Sequence, residues 1–492
     1  MDGIVQGLLL TVQPSVLAFI FLGTILGTIF GVVPGISGMT LLAVLLPFTF
    51  GMQPAEGLAL LMAGNAVCHV GGAVTSVLLA IPGDPPNAAT ILDGFPMTQQ
   101  GKGGRALGAA LTAATVGGIF GIVAMAVMIP ILRPIVLLFG FPETFLVVLM
   151  GITFIAVLGK GSMIKGLISG GIGIFLTFVG YQAVSGIPRL SPDILYLLYG
   201  FKLIPIALGL FAIPELMELV VEGGTIAKLS GPAVGKGDVI EGIKDVFRHW
   251  WLVVRCGVIG IVVGIAPAAG AETSPWIAYG YAKQVSKHPE EFGKGSVEGV
   301  IAPQVAVTSV KGGDLVPTLS FGIPGSSSMA VLLGGFLIMG LTPGPFFLKE
   351  HLDIAFSLVF SLAIAFVITG GICLLLASRL TKVALVPGSI LAPIILIFTL
   401  LGAYCAENDM NDVLMTFVFG ALGYTMMRFG YNRPALLLGF VLGNLLETTF
   451  HISVQTRGWL FFTSPISIIL ILIMILTPGY PLLKAAMRRM RG

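Results

Sequence analysis

The sequence is poor in charge. Only 10% of its 492 residues are Asp, Glu, Lys or Arg, whereas a soluble domain carries roughly 25%. With 26 basic and 23 acidic side chains, a soluble globule of this size could not cover its surface, which disfavours a soluble enzyme, a nucleic-acid-binding protein and a disordered scaffold. Hydrophobic residues make up 56% of the chain and the mean hydropathy is +1.02. The composition predicts a polytopic membrane protein whose outer surface faces lipid.

Catalytic motifs and metal-ligand clusters are also missing. The four cysteines lie far apart with no CxxC spacing, which argues against a zinc site and a disulfide framework. The five histidines show no metal-ligand spacing, and no GxSxG, Walker A or HExxH motif occurs. We therefore expect a chain that is not an enzyme, carries no cofactor and does not hydrolyse ATP.

No lysine or arginine precedes Lys102. A secretory signal peptide needs a basic n-region, so the first apolar stretch is expected to remain as a membrane span. The same lack leaves the side of the N-terminus open. The C-terminal sequence KAAMRRMRG is basic, and the positive-inside rule therefore predicts a cytoplasmic C-terminus.

Apolar runs recur along the chain, and several are interrupted by glycine, proline or polar residues. Their lengths predict about 10 to 14 membrane-embedded segments. The most polar long stretch, residues 215–250, predicts an extramembrane linker. It would separate a first membrane repeat, residues 1–214, from a second repeat, residues 251–492, which carries the basic tail. We therefore predict an all-α polytopic membrane protein with two repeated halves and broken or re-entrant helices.

Glycine is abundant, with 67 residues, about twice the usual share of roughly 7%. This excess indicates close helix packing, broken helices or both. Gly23, Gly27, Gly31 and Gly35 recur every four residues and would form a smooth stripe on one helix face. Such a stripe is typical of packing, although a ligand contact or a sliding surface would use the same pattern.

Two pairs of segments predict an internal repeat. GVVPGISG (31–38) resembles GIAPAAGA (264–271), and segment 71–95 resembles segment 312–336. The latter two share a glycine pair, an apolar stretch, Ile-Pro-Gly and Gly-Phe, with 11 positions from Gly71 to Pro82 and 12 from Gly312 to Pro324. An inverted repeat suits broken-helix sites near the bilayer midplane, and a parallel repeat stays open.

The Ile-Pro-Gly segments predict helix breaks that bind an anion. Proline stops a helix, and backbone freed at membrane depth must be buried in protein or line a watery cavity. The helix that starts after each break would point free N–H groups and a positive dipole end at an anion. The alternative is a plain tight turn at the membrane surface. The candidate binding residues are Gly35, Ser37, Gly38, Pro82, Gly83, Asn87, Thr90, Lys311, Pro324, Gly325, Ser326 and Ser327.

Ionisable residues inside apolar segments are further functional candidates. Lys311 either pairs with Asp314, three residues on, or supplies a counter-charge to the substrate. His69 would bind substrate or a proton, or hold a packing contact. The set also includes Asp84, Asp93, Glu272 and Glu447, together with Glu407, Asp409 and Asp412, which favour a loop between spans.

Four segments resemble the large membrane subunit of tripartite tricarboxylate transporters (TctA type). They are GVVPGISGMTLLAVLLPFTFGMQPAEGLALL (31–61), VTSVLLAIPGDPPNAATILDGFPMTQQGKGGRALG (74–108), VSKHPEEFGKG (285–295) and LSFGIPGSSSMAVLLGGFLIMGLTPGP (319–345). Together with the length and the two-half layout, the resemblance covers nearly the whole chain.

The resemblance implies a secondary transporter for a carboxylate-type solute in a bacterial inner membrane. Its partners would be a small membrane subunit and a periplasmic solute-binding protein, and a homodimer is implied by analogy. A sodium or proton gradient would drive uptake, with a sodium site expected near Ser37, Thr308 and Ser309. An anion channel and a non-transporting membrane scaffold are the alternatives.

The chain departs from the family pattern next to the expected site. The second-half Pro-Gly reads Pro267-Ala268, Cys68-His69 replaces an aromatic or small residue, and the tract 302–313 reads APQVAVTSVKGG. That tract resembles APEAANNAAAGG of the family, so an acidic and two amide positions are replaced and a lysine is added. These differences favour a substrate other than citrate.

Overall fold

The computed structural model describes residues 2–33, 36–136, 138–158, 162–182, 185–191, 194–221, 236–266, 270–383 and 388–474. Over these residues the chain is almost entirely helical, with one antiparallel hairpin of β1 (Gly180–Tyr181) and β2 (Pro188–Arg189). Gly180 pairs with Arg189 in this hairpin. The prediction of an all-α polytopic membrane protein is confirmed.

Residues before 222 form eleven α-helices: α1 (Asp2–Thr11), α2 (Pro14–Val32), α3 (Gly38–Leu45), α4 (Pro54–Leu79), α5 (Ala88–Gln99), α6 (Gly103–Val136), α7 (Phe141–Leu158), α8 (Met163–Leu176), α9 (Leu195–Leu198), α10 (Leu203–Ala207) and α11 (Ile213–Val221). Residues after 235 form α12 (Lys236–Arg248), α13 (Trp250–Ile265), α14 (Gly270–Val285), α15 (Val297–Phe321), α16 (Ser327–Ile338), α17 (Phe347–Glu350), α18 (Leu352–Val383), α19 (Gly388–Glu407), α20 (Met410–Arg428), α21 (Arg433–Arg457) and a last apolar helix, α22 (Pro465–Met474). These counts cover the described residues, which also hold short 3-10 turns and one π segment, Leu208–Ala212.

Within the described ranges, six helical segments are long and apolar enough to cross a membrane: Pro14–Val32, Pro54–Leu79, Gly103–Ile135, Leu203–Val221, Leu352–Leu376 and Arg433–Thr463. A seventh span arises if Asp238–Arg248 and Trp250–Ile265, bent by 74°, act as one. Shorter apolar helices, among them Gly38–Thr49 and Ser327–Ile338, supplement these spans. The estimate of about 10 to 14 embedded segments includes such broken and short helices and stays a prediction.

The same order of helices occurs twice. The series α2, α3, α4, α5 and α6 is followed in the second half by α13, α14, α15, α16 and α18. The two series interlock, because α1 packs on α18 while α12 packs on α6. In the same way α4 packs on α18 and α15 packs on α6. Each half therefore completes the packing of the other, while the inverted sense of the repeat stays a prediction.

The linker predicted at 215–250 has packed helices at both ends. Residues 215–221 belong to α11, at the end of the candidate span Leu203–Val221. Residues 222–235, which hold most of the glycine-rich piece, lie outside the described residues. Beyond them α12 packs against α6 and leads into α13. The described part of the linker is therefore helical, and the boundaries at 214 and 250 stay predictions.

Asp93 on α5 fastens the polar loop that precedes α15. Its Oδ1 accepts hydrogen bonds from the backbone N–H groups of Gly293 (2.8 Å), Gly295 (2.9 Å) and Ser296 (2.8 Å). Its Oδ2 accepts one from the hydroxyl of Tyr279 at 2.9 Å. Asp93 is fully buried, so this carboxylate joins the two halves structurally.

Asp93→Ala is expected to loosen this loop, because three backbone donors and one hydroxyl lose a charged acceptor. Tryptic cleavage after Lys287 or Lys294 should accelerate on the order of tenfold, because local opening of the loop then requires less free energy. Limited proteolysis in detergent measures this change. Glu350→Ala, which removes an exposed carboxylate, serves as the control. An unchanged cleavage rate in Asp93→Ala would show that the loop is held by other contacts.

Candidate functional site

The two predicted helix breaks end their helices in the same way. Ala80 after α4 and Gly322 after α15 both adopt left-handed backbone, with φ of 58° and 69°. The next N–H donates back to Thr75 O at 3.5 Å in the first break and to Pro317 O at 3.3 Å in the second. Such a bond closes the helix end, and the proline that follows prevents its continuation. The Ile-Pro-Gly segments therefore do interrupt two buried helices.

The glycine of each break lies against the last turn of a neighbouring helix. A Cβ on Gly83 would collide with the carbonyl oxygen of Gly31 at the end of α2. A Cβ on Gly325 would lie 2.6 Å from the carbonyl oxygen of Gly264 at the end of α13. Both neighbours are backbone atoms, so only glycine allows this approach. Gly31 and Gly264 occupy matching positions in the sequence repeat, and the packing reproduces that match.

The helix contacts change the alignment of segment 71–95 with segment 312–336 by one residue. A Cβ on Gly71 would contact the carbonyl oxygen of Thr28, and one on Gly313 would contact that of Ile261. Thr28 and Ile261 each precede the helix-end glycine of α2 or α13 by three positions. Gly71 therefore corresponds to Gly313 rather than to Gly312, and both glycines lie 11 positions before the proline of their break. The difference in spacing disappears.

With this alignment, His69 and Lys311 occupy equivalent positions on α4 and α15. His69 Nδ1 forms a short hydrogen bond with Asp84 Oδ2, just after the first break. The other oxygen of Asp84 accepts a hydrogen bond from the N–H of Gly38 at 3.4 Å. His69 and Asp84 are only 3% and 2% exposed, and His69 Nε2 has no hydrogen-bond partner among the described residues. The pair thus gives one buried carboxylate a hydrogen-bond partner and leaves a ring nitrogen available.

Lys311 donates a hydrogen bond across the halves to Asn65. Its Nζ lies 2.9 Å from Asn65 Oδ1, and the lysine is only 1% exposed. Its backbone precedes that of Asp314 by three positions, yet no ion pair joins the two within the part of the chain that the structure describes. The Nδ2 of Asn65 has no hydrogen-bond partner among the described residues. Lys311 therefore does not form the ion pair with Asp314, and its interpretation as a counter-charge to the substrate stays a prediction.

Gln304 of α15 holds the first break from the other side. Its Nε2 donates to Asn87 Oδ1 at 2.7 Å and to Thr90 Oγ1 at 2.8 Å. The Nδ2 of Asn87 and the Oε1 of Gln304 remain without partners. Asn87 Nδ2 lies beside Gly72, where a Cβ would come within 2.5 Å of it. The second half thus contributes directly to the break of the first half.

The chain matches known proteins over most of its length. Residues 17–438 match the Tripartite tricarboxylate transporter TctA family. The chain belongs to the TctA family. An uncharacterised 52.8 kDa protein from the TAR-I ttuC' 3' region of Agrobacterium vitis is 30% identical over 467 residues, which is 92% of this chain and 90% of that protein. A second uncharacterised protein, from the TAR-II ttuC' 3' region of Agrobacterium vitis, is 34% identical over 211 residues, 42% of this chain and 87% of that protein. No solved structure matches the chain.

In this TctA-family chain, unpartnered buried polar atoms gather around the breaks. Buried polar groups normally have hydrogen-bond partners, so such a concentration makes this region the candidate site. Of the unpartnered buried polar atoms among the described residues, those near the breaks are Asn65 Nδ2, His69 Nε2, Asn87 Nδ2, Gln304 Oε1, Asp314 Oδ1, Asp314 Oδ2 and Ser326 Oγ. Pro82, Gly83, Pro324 and Gly325 form the turns between them, and Ser326 and Ser327 begin α16.

Three hydroxyl residues of the expected site form hydrogen bonds within the TctA-family chain. Ser37 caps α3 and donates its hydroxyl to Glu215 Oε1 at 3.1 Å. Thr308 donates to Gln304 O in its own helix, and Ser309 likewise bonds to Ala306 O. The sodium site expected near Ser37, Thr308 and Ser309 stays a prediction. Gly35 lies outside the described residues.

Asn65 and Glu215 are members of the site region that the sequence pattern missed. Asn65 lies one turn before His69 in a helix that is otherwise apolar there, and an amide inside a membrane helix signals a partner. Glu215 begins the polar stretch that the sequence predicts as a linker, because further acidic residues follow it, and so it does not stand out as a site residue.

The acidic candidates at 407–412 lie around Lys202. Glu407 Oε2 is 2.6 Å and Asp412 Oδ2 is 3.3 Å from the Nζ of this lysine.

Proposed function

We propose that this TctA-family chain is the permease subunit of a tripartite uptake system for a small carboxylate anion. The supporting observation is the cluster between the two breaks, where Lys311 presents a buried cation and Asn65 and Asn87 present free amide N–H groups. A carboxylate accepts hydrogen bonds from such groups, and buried charge-assisted bonds are the strong ones. Helices that begin at the breaks add N–H groups that favour an anion.

The proposal extends to the partners and the energy source. A periplasmic solute-binding protein would deliver the carboxylate, and a small membrane subunit and a second copy of the chain would complete the assembly in a bacterial inner membrane. A sodium or proton gradient would drive accumulation, since the sequence contains no Walker A loop. The basic end of the chain would face the cytoplasm.

Reconstitution in liposomes tests this function against its alternatives. The purified chain and its small subunit would be assayed with a cognate binding protein, a panel of mono-, di- and tricarboxylates, and an imposed sodium or proton gradient. We expect accumulation of one carboxylate class only when gradient and binding protein are both present. Flux that merely equilibrates would indicate an anion channel, and no flux for any substrate would indicate a scaffold.

A further inference from the structure

Asp314 is a buried carboxylate without a hydrogen-bond partner in the part of the chain that the structure describes. It lies on α15, eleven positions before Gly325, and is 0% exposed. Neither Oδ1 nor Oδ2 has a hydrogen-bond partner among the described residues. An isolated carboxylate in a low-dielectric interior is costly unless a cation or a proton accompanies it. A cation or a proton must therefore accompany this group.

In the first half, the chain itself supplies a hydrogen-bond partner for a buried carboxylate. There the carboxylate is Asp84, and the imidazole of His69 bonds to it directly. The residue equivalent to His69 is Lys311, but its ammonium is directed to Asn65 across the halves. The repeat thus offers an internal comparison in which one carboxylate is paired and the other is left open.

Further oxygen atoms lie on the segments packed against Asp314. Ser326, which is equivalent to Asp84 in the repeat, is 7% exposed, and its Oγ has no hydrogen-bond partner among the described residues. Gly325 brings the second break against Asp314, since a Cβ there would lie 2.7 Å from Asp314 Cα and 2.6 Å from Gly264 O. The last carbonyl groups of α13 therefore reach the same place. Carboxylate, hydroxyl and helix-end carbonyl oxygens are the ligands that hard cations prefer.

We propose that Asp314 and Ser326, together with the carbonyl end of α13, bind a monovalent alkali cation, with sodium as the expected ion. A single carboxylate with Lys311 close by disfavours a divalent ion, which takes more acidic ligands. No group of three or more acidic, histidine or cysteine ligands occurs in the described residues. If the proposed function holds, this ion is the one that couples to carboxylate uptake, because its ligands border the anion site.

Thermal unfolding of the purified chain tests the site without any carboxylate or binding protein. We expect 100 mM NaCl to raise the Tm by about 5 °C relative to choline chloride at equal ionic strength. Asp314→Asn should reduce this rise to about 1 °C or less, and Ser326→Ala should raise the half-saturating sodium concentration roughly tenfold. Asp412→Asn is the matched control: Asp412 is equally buried, but Tyr196 and Lys202 bond to it.

The outcomes separate this site from the transport proposal. A sodium-specific rise that persists in Asp412→Asn and disappears in Asp314→Asn supports the site, whether or not the chain transports a carboxylate. A wild-type protein without a sodium-specific rise, or an unchanged response in Asp314→Asn, overturns it. If Asp314→Asn does not fold, Ser326→Ala decides, and an unaltered sodium midpoint in that variant also overturns the site.

Discussion

Valine in place of Gly83 or Gly325 should abolish carboxylate uptake while the protein still inserts into the membrane. Each side chain would drive into backbone, the carbonyl of Gly31 in one case and that of Gly264 in the other. Backbone cannot yield as a flexible side chain does, so the break must move and its polar groups lose their alignment. We expect the initial uptake rate in proteoliposomes to fall at least about 100-fold, since small misplacements at a site are costly.

Membrane insertion of these variants should remain normal, because it depends on the apolar length of the spans. Membrane fractionation and gel filtration of each variant measure this. Gly171→Ala is the control, since Gly171 lies in a helix and a Cβ there meets nothing within 4 Å. It should transport like the wild type. Normal uptake by both Gly83→Val and Gly325→Val would place the binding site away from the breaks.

Removing the charge of Lys311 is expected to have the other large effect. In Lys311→Met the buried ammonium is lost with little change in length, and an anion between the breaks loses its counter-charge. Truncating one side of a buried charged pair costs roughly 2–5 kcal/mol, so kcat/KM for uptake should fall at least about 30-fold. Initial rates at low substrate concentration, with matched amounts of reconstituted protein, give this ratio.

Two further variants test whether the loss of uptake is due to the positive charge of Lys311. Lys311→Arg keeps the charge and should recover part of the uptake. Lys165→Met removes a lysine on α8 whose Nζ donates to Phe429 O at 2.6 Å, away from the breaks, and should leave kcat/KM unchanged. If Lys311→Met transports normally, the ammonium serves only to hold Asn65, and the anion must find its counter-charge elsewhere.

Local chemistry made the helix breaks predictable. Proline and glycine act through the backbone of their own neighbourhood, so Ile-Pro-Gly at 81–83 and at 323–325 identified both interruptions without any knowledge of the packing. The repeat was visible for the same reason. Its alignment by glycine pairs was one residue off, because matching letters favoured Gly312, whereas helix contacts select Gly313 as the counterpart of Gly71.

The partners of the polar side chains were not predictable, because they depend on which helices meet. Lys311 had a close neighbour in sequence in Asp314, yet it bonds to Asn65 on another helix. The hydrogen-bond partner of a hydroxyl group such as that of Thr308 was equally unpredictable from the sequence. A serine or threonine in a helix can bond to the preceding turn instead of facing a ligand, and the sequence carries no sign of its direction.

The hydrogen bond between Lys311 and Asn65 joins two residues that are synthesised at different times. Its acceptor, Asn65, precedes it by 246 residues, which a ribosome covers in about 10–50 s at roughly 5–20 residues per second. During that interval α4 lies in the membrane before α15 has been made. The amide of Asn65 and the imidazole of His69 therefore lack the neighbours that α15 later provides. A nascent chain stopped before residue 297 therefore leaves polar groups of α4 in the membrane without the helix that later packs against them, which is energetically costly.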